Sequence, residues 1–241
     1  MDSSNLKSHP DGYRDSNLKS KYYAIIVAGG SGTRMRSAVP KQFLLLNGIP
    51  MLMHTINAFH FSRTQPQIIV VLHPDSHDIW TELCAEHNFT ISYQLIDGGE
   101  TRFHSVRNGI NAIEAEDAII AIHDAVRPLV AKEIIDESYN CAEKYGNAIV
   151  AIKSRDSVRQ IKDNRSQSLN RDEIYLIQTP QTFQAEQLKK AYLQPYQESF
   201  TDDASVVEQT GVNINLIGGS YQNMKITFPE DIAIAEFLLK Q

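Results

Sequence analysis

A glycine-rich segment with two cations follows the first apolar run of the chain. It reads AGGSGTRM at 28–35, and PKQF follows at 40–43. A glycine-rich turn at the end of a strand lets a ligand approach the backbone closely, with N–H groups turned toward anionic oxygens. Arg34 and Lys41 add positively charged side chains to the same region. The segment therefore predicts a binding site for an anionic ligand such as a phosphate.

This segment matches neither of the two common glycine-rich nucleotide motifs. The P-loop pattern G-x-x-x-x-G-K-[ST] does not occur, and Met35 stands where a dinucleotide fingerprint has its third glycine. The glycine turn alone could be no more than a tight connection. Its combination with Arg34 and Lys41 is harder to explain structurally and favours a binding role.

Three other polar segments follow predicted strands or lie near the end of the chain. DGGETRFHS lies at 97–105, HDAVRP contains Asp124 and Arg127, and NMKITFPED contains Lys225 and Thr227. Each has an ordinary alternative: Asp124 as a helix cap, Arg127 in a surface ion pair, Lys225 as an exposed edge lysine. Open α/β sheets bind ligands at the carboxyl ends of their strands. The convergence of these segments at one sheet edge predicts a binding cleft.

The elements that must position these residues alternate along the chain. Short β-branched runs and amphipathic stretches of helical length follow one another from residue 22, as in βαβ units, which predicts an α/β fold with a mostly parallel sheet. Strands are predicted at 22–28, 68–72, 91–96, 118–123, 148–152, 214–218 and 224–227. Helices are predicted at 51–61, 76–87, 102–113, 131–145, 185–192, 203–210 and 230–240.

The chain divides into a tail and one domain. Residues 1–20 are polar and carry SNLKS twice, which predicts a disordered tail, and residues 21–241 are predicted to form a single domain. Within this domain, 153–172 is charged, with a turn signal at Asp163-Asn164, and is predicted to project as an arm.

Composition excludes several classes of protein. A net charge of -6 disfavours nucleic-acid binding, which needs a broad basic surface. The apolar runs are too short to span a membrane. The polar N-terminus lacks the apolar region of a signal peptide, and Cys84 and Cys141 have no C-x-x-C partner, so a cytoplasmic protein with reduced thiols is expected. The histidines form no ligand-like grouping, and no metal site built by side chains is predicted.

In order along the chain, these segments resemble the 2-C-methyl-D-erythritol 4-phosphate cytidylyltransferases. The resemblance rests on AGGSGTRM with PKQF, GGETRFHSV, HDAVRP, QTPQTF at 178–183, TDDASVVE at 201–208 and NMKITFPEDIAIAE at 223–236. It implies a Rossmann-like nucleotidyltransferase sheet with helices on both faces and an arm that embraces the second subunit of a homodimer. It also implies transfer from CTP to a sugar-alcohol phosphate, with release of pyrophosphate.

The resemblance assigns roles to individual residues. The residues implied to bind the nucleotide are Ala28, Gly29, Gly30, Gly32, Gly99, Glu100, Ser105, Asp124 and Ala125. Those implied to bind the sugar phosphate are Asp124, Arg127, Ser157, Arg171, Lys225 and Thr227. Those implied to act in catalysis are Arg34, Lys41, Arg171 and Lys225. Mg²⁺ is expected as cofactor, bound mainly through the CTP phosphates because the sequence has no D-x-D motif.

Three alternatives remain at this point. A ribitol 5-phosphate cytidylyltransferase shares the glycine loop, HDAVRP and the N-x-K-I-T segment, but TDDASVVE and NRDEIYLIQTPQTF at 170–183 favour the methylerythritol enzyme. A nucleotide-sugar glycosyltransferase would usually need a D-x-D metal site. A non-catalytic nucleotide-binding module is disfavoured because Arg34, Lys41, Arg171 and Lys225 are present together.

Overall fold

A computed structural model describes residues 21–28 and 39–241 of the chain. The predicted tail at 1–20 lies outside the described residues. So do Gly29, Gly30, Gly32 and Arg34 of the glycine-rich segment.

The described residues alternate between strands and helices, as predicted. The strands are β1 (Tyr22–Val27), β2 (Leu45–Leu46), β3 (Ile49–Pro50), β4 (Gln67–Leu72), β5 (Gln94–Asp97), β6 (Ile119–Asp124), β7 (Asn147–Lys153), β8 (Arg159–Lys162), β9 (Arg165–Ser168), β10 (Tyr175–Gln184) and β11 (Leu216–Gly218). The helices are α1 (Met51–His60), α2 (His77–Glu86), α3 (Arg102–Asn111), α4 (Lys132–Tyr145), α5 (Ala185–Ala191), α6 (Asp203–Glu208) and α7 (Pro229–Leu238).

Seven of the described strands form one sheet in the order β11-β7-β10-β6-β1-β4-β5. Neighbouring strands are parallel except that β10 runs antiparallel to both β6 and β7. The predicted α/β class with a mostly parallel sheet is therefore confirmed. The carboxyl ends of β6, β1, β4 and β5 lie side by side, and three of the candidate site segments follow β1, β5 and β6.

Apolar side chains cover both faces of this sheet. One core cluster joins the sheet to α3, α5 and α6, and includes Phe103, Leu188 and Val207. The other joins it to α1, α2 and α4, and includes Phe59 and Trp80. Burial on two faces explains why β1, β4 and β6 are nearly continuous apolar runs without polar alternation.

Two strand predictions were wrong. The central strand β10 was missed, because it contains Pro180 and a run of polar residues that are typical of a loop. Its pairing with β7 is irregular between Ile177 and Gln181, which accommodates this run. Conversely, 224–227 alternates like a strand but is not one. The Ile226 N–H instead donates to the Val126 carbonyl, in the segment that follows β6.

The segment predicted as an arm contains a two-stranded hairpin, β8 and β9. Asp163 and Asn164 form its turn with positive φ angles of 49° and 59°, a conformation that Asn and Asp tolerate better than most residues. Every strand residue of the hairpin is exposed. Among the described helices, none is both long and apolar enough to cross a bilayer.

Candidate active site

A cleft of about 610 Å³ lies at the carboxyl edge of the sheet. It is lined by the end of β1, by the turn that follows β5 and by the end of β6. The lining residues are Val27, Ala28, Lys41, Gln42, His73, Pro74, Gly98, Gly99, Glu100, Thr101, Arg102, Ser105, Asp124, Val126 and Lys225.

The cleft is anchored on one side by Ala28, directly after β1. The Ala28 N–H donates to the Val71 carbonyl at 2.9 Å, and the Ala28 carbonyl accepts from Nε2 of Gln42, also at 2.9 Å. Gln42 is buried in a single 3₁₀ turn at 41–43. This turn places Lys41 among the residues that line the cleft, next to the end of β1.

The opposite side is a tight turn that leads into α3. The Gly99 N–H donates to Oγ of Ser105 at 3.0 Å, and that hydroxyl donates to the Thr101 carbonyl at 2.9 Å. A Cβ at Gly99 would lie 2.5 Å from the Cβ of His104, so only glycine fits there without a shift. The side chain of Thr101 caps the helix by accepting from the His104 N–H. The turn is thereby held rigidly at the N-terminus of α3.

At the end of β6, the carboxylate of Asp124 is shared by three cations. Its Oδ2 lies 3.0 Å from Nζ of Lys225 and 3.4 Å from Nε of Arg127, and its Oδ1 lies 3.5 Å from Nε of Arg102. Burial alone would raise the pKa of Asp124, but Arg102, Lys225 and Arg127 outweigh it and hold the pKa below its usual range. The group is a carboxylate at any physiological pH.

Lys225 reaches Asp124 because its segment is fastened to the sheet. Nη1 of Arg127 donates to the Asn223 carbonyl at 2.8 Å, and Nδ2 of Asn223 donates to the Thr179 carbonyl at 2.8 Å. Nε2 of Gln178 donates to the Ser220 carbonyl at 2.8 Å. These bonds join the segment before Lys225 to β10 and to the loop after β6.

A second hydrogen-bond chain runs behind the cleft through His123. Burial lowers the pKa of His123 to about 4, so the ring is neutral. Its Nε2 lies 3.1 Å from the Arg127 carbonyl, which can only accept, and this places the ring proton on Nε2. Nδ1 therefore accepts from the hydroxyl of Thr179 at 3.1 Å, while the Thr179 oxygen accepts from the Asp124 N–H at 3.1 Å. The orientation of the Thr179 hydroxyl is fixed.

A second cavity of about 260 Å³ adjoins the first. The two share Arg102, Asp124 and Lys225 as lining residues. The remaining lining residues of the smaller cavity are Arg127, Ile177, Gln178, Thr179, Gln181, Thr201 and Asp202. We call the shared residues together with Arg127 the cleft wall. A small polar ligand in the second cavity would therefore meet a larger one in the first across the cleft wall.

The structure brings most of the described candidate residues together. Those that line the larger cavity are Ala28, Lys41, Gly99, Glu100, Ser105, Asp124 and Lys225. Arg127 lines the smaller one. Ala125 is buried behind the cleft, where its N–H donates to Val27 and its carbonyl accepts from the hydroxyl of Thr55.

Besides Ala125, three described candidates line neither cavity. Thr227 precedes α7, and its N–H donates to Oδ2 of Asp231 at 2.8 Å. Ser157 and Arg171 lie in the arm and are exposed, and Nη1 of Arg171 is 3.4 Å from the Arg155 carbonyl.

Sequence reasoning gave no role to several residues that line the cavities, among them Arg102, Gln178, Thr179 and Gln181. Arg102 stands inside the GGETRFHSV segment, but its partner Asp203 is distant in sequence, and nothing local indicates their pairing. For Gln178, Thr179 and Gln181, the available signal was the segment QTPQTF at 178–183, a polar run that contains a proline. Such a run in a central strand indicates a site rather than a loop.

Comparison with known proteins agrees with this geometry. The family model of 2-C-methyl-D-erythritol 4-phosphate cytidylyltransferase (IspD) matches residues 22–241. A protein of that name from Bacteroides thetaiotaomicron is 46% identical over 91% of this chain and 100% of its own length. One from Porphyromonas gingivalis is 44% identical over 92% of this chain and 99% of its own length.

Solved structures show the same similarity. The 4-diphosphocytidyl-2C-methyl-D-erythritol synthase from Anaerococcus prevotii superposes with a TM-score of 0.78 at 29% identity, covering 91% of this chain and 96% of its own. The 2-C-methyl-D-erythritol 4-phosphate cytidylyltransferase of Francisella tularensis gives 0.74 at 31% identity, covering 90% and 99%. The match extends over nearly the whole chain and includes every segment that builds the cleft, so the chain belongs to the 2-C-methyl-D-erythritol 4-phosphate cytidylyltransferase family.

Proposed function

We propose that the protein binds CTP and 2-C-methyl-D-erythritol 4-phosphate in the two adjoining cavities. It transfers the cytidylyl group from the first to the second, giving 4-diphosphocytidyl-2-C-methyl-D-erythritol and pyrophosphate. As a member of its family, the chain is an enzyme, a cytidylyltransferase of isoprenoid biosynthesis. The observation that carries the proposal is that three residues line both cavities. A nucleotide in the larger cavity and a sugar phosphate in the smaller one would meet at Asp124, Arg102 and Lys225.

The reaction needs positive charge more than it needs a base. A phosphate oxygen of the acceptor forms a bond to the α-phosphorus of CTP, and the bond from that phosphorus to the oxygen of the β-phosphate breaks, so that pyrophosphate leaves. The attacking oxygen is already anionic at neutral pH. The obstacle is repulsion between two anions, which positioning and preorganised cations overcome.

The cleft supplies such cations from separate elements. Lys41 lines the larger cavity, and Lys225 stands between the two cavities. Arg34, outside the described residues, is assigned to the same group by its place in the AGGSGTRM segment. In the proposal, Lys41 and Arg34 act on the triphosphate, and Lys225 acts on both reacting phosphates.

Magnesium is part of the proposal. Mg²⁺ usually keeps several waters and binds through one or two carboxylates plus substrate phosphates. The carboxylates that line the larger cavity are Glu100 and Asp124, and in the described ranges no group of three His, Cys, Asp or Glu side chains is placed to hold an ion. Both oxygens of Asp124 already face cations, so this donor set fits an ion carried mainly by the triphosphate and water. The ion would neutralise charge on the phosphate oxygens.

The proposal also includes a homodimer in which the arm completes the partner's site. Ser157 and Arg171 line neither cavity of their own chain, and the first residues of β10 expose Tyr175, Leu176 and Ile177 beside the arm. A second copy related by a two-fold axis would cover this apolar run, and such closed dimers are the commonest assembly. The planar guanidinium of Arg171 suits a phosphate group. A cytoplasmic location is proposed because Cys84 and Cys141 are free thiols.

The test is release of pyrophosphate by the purified enzyme with Mg²⁺, CTP and 2-C-methyl-D-erythritol 4-phosphate. Parallel reactions replace CTP by UTP, or the acceptor by ribitol 5-phosphate. We expect a strong preference for CTP, because a pocket that pairs with the amino group of cytosine leaves its acceptors unpaired against uracil. Equal turnover with UTP would contradict the nucleotide assignment, and faster turnover with ribitol 5-phosphate would contradict the acceptor.

A further inference from the structure

Arg102 is held between two carboxylates that come from distant parts of the chain. Its Nη1 and Nη2 donate to the two oxygens of Asp203, at 2.9 and 2.7 Å. Its Nε lies 3.5 Å from Oδ1 of Asp124. This parallel pair of bonds fixes the plane of the guanidinium, and so fixes the direction in which Nε points.

Asp203 is a rigid support for this arrangement. It is fully buried at the start of α6, and its Oδ1 also accepts from the hydroxyl of Tyr192 at 2.6 Å. The ring of Tyr192 stacks on Phe103, the residue after Arg102, with centroids 4.7 Å apart. Three elements thus converge on one ion pair. The carboxylates raise the pKa of Arg102, although burial alone would lower it.

The effect of Arg102 on the site passes through Asp124. Because Arg102 approaches Oδ1, the carboxylate presents Oδ2 to Lys225 and Arg127. Without a cation at Oδ1, the carboxylate would be held only at Oδ2 and could tilt about its Cβ–Cγ bond, and the Lys225 ammonium group would move with Oδ2. The position of the Lys225 ammonium group between the two cavities therefore depends on Arg102.

We propose that Arg102, oriented by Asp203, is a positioning residue that locks the rotation of Asp124 and so places Lys225 between the two reacting phosphates. The proposal rests on the proposed function, since it assigns the role within that same site. Arg102 does more than form an ion pair inside the protein. Its side chain is 32% exposed and lines both cavities, whereas the side chain of Asp203 is completely buried.

The test is a double-mutant cycle in turnover between Arg102→Lys and Asp124→Asn. Lysine keeps the charge of arginine but loses its planar fork. We expect Arg102→Lys to lower kcat about tenfold in the wild-type background, with KM for CTP changed less than about threefold. In the Asp124→Asn background, where no carboxylate is left to lock, the same substitution should change kcat by less than about twofold.

Two further variants separate positioning from folding. Asp203→Asn keeps the shape of the support and removes its charge, and it should lower kcat as Arg102→Lys does. Arg107→Lys makes the same chemical change on the same helix, where Arg107 lies over Phe103, away from both cavities. It should leave kcat unchanged. Thermal unfolding of each variant shows whether it is folded.

The outcomes distinguish the two proposals. A wild-type enzyme that releases no pyrophosphate from CTP and the methylerythritol phosphate would overturn the proposed function. An active wild type with an unchanged folded Arg102→Lys enzyme would overturn the inference alone. So would equal losses of kcat in both backgrounds, since Arg102 would then act independently of Asp124.

Discussion

The cleft wall and the arm are built in opposite ways from similar residue types. Both are rich in charged side chains. In the cleft wall, Asp124 is 7% exposed and each of its oxygens faces a cation supplied by another element. In the arm, all residues of β8 and β9 are exposed, including Ile161 at 66%.

This difference shows which part of the site one chain can finish alone. The cleft wall is held by hydrogen bonds from the loop after β6, from β10 and from the segment before Lys225, so its geometry is set within the subunit. An isolated two-stranded ribbon is marginal in water, and exposed apolar residues lie beside it. In the proposed homodimer, a second copy of the chain would cover the arm, while the cleft wall is held in place within one chain.

Removing a cation from each region should have very different effects. Lys225→Ala removes the ammonium group from between the cavities and should lower kcat about 10²- to 10³-fold, as loss of a preorganised charge in a transition state typically does. Lys162→Ala removes an exposed arm lysine and should leave kcat within about twofold. Steady-state kinetics with CTP and the methylerythritol phosphate measures both.

The burial of His123 behind the cleft wall predicts a pH dependence of stability. Burial lowers the pKa of His123 to about 4 from its ordinary value of 6.5, so between these values the unfolded chain binds a proton that the folded chain does not. The stabilisation is complete above pH 6.5 and is lost as the pH falls toward 4. The free energy of unfolding should fall by about 2 kcal/mol between pH 7 and 4.5 on account of this group.

Denaturant unfolding of wild type and His123→Gln at these two pH values measures that loss. The variant cannot titrate at this position, so its decrease should be smaller by about 2 kcal/mol. His87→Gln, at the end of α2 and outside the cleft wall, is the matched control and should behave as wild type. Equal decreases in wild type and His123→Gln would contradict the assignment of a neutral buried ring.

The smallest effect is expected from a change at the tip of the arm. Asn164 has a φ of 59°, and a β-branched residue there costs about 1–2 kcal/mol. Asn164→Val should speed hydrogen exchange of the hairpin amides by roughly five- to thirtyfold. The free energy of global unfolding should change by less than about 0.5 kcal/mol. Asn164→Gly, which tolerates this φ, is the control, and a large global loss in Asn164→Val would show that the arm is part of the core.

Sequence patterns predicted the parts of the fold that are governed by periodicity. The apolar runs of β1, β4 and β6 and the amphipathic helices gave elements close to those observed, because burial on one or two faces leaves a local trace. The hairpin turn at Asp163 and Asn164 was also predicted, because its signal lies in these two residues themselves. The strand β10 has no such apolar pattern, because polar residues within it line the smaller cavity. Its central position in the sheet was therefore not predicted.

The candidate site was predictable as a set of segments but not as a set of contacts. The ends of the strands identified Asp124 and Lys225 because parallel topology brings such ends together. The pairing of Arg102 with Asp203 joins residues that are far apart in sequence, and no composition or spacing indicates it. The proposed role of Ser157 and Arg171 lies in the site of a partner chain, and no pattern within one sequence specifies such a contact.

In the proposed homodimer, each active site combines the cleft wall of one subunit with the arm of the other. Mixing Arg171→Ala with Lys225→Ala subunits tests it most directly. Each variant alone should be nearly inactive. After random exchange, half of the dimers are mixed, and one of their two sites draws intact Lys225 from one chain and intact Arg171 from the other, so activity should return to about a quarter of wild type. If subunit exchange is verified and the mixture stays as inactive as its parents, the composite site is wrong.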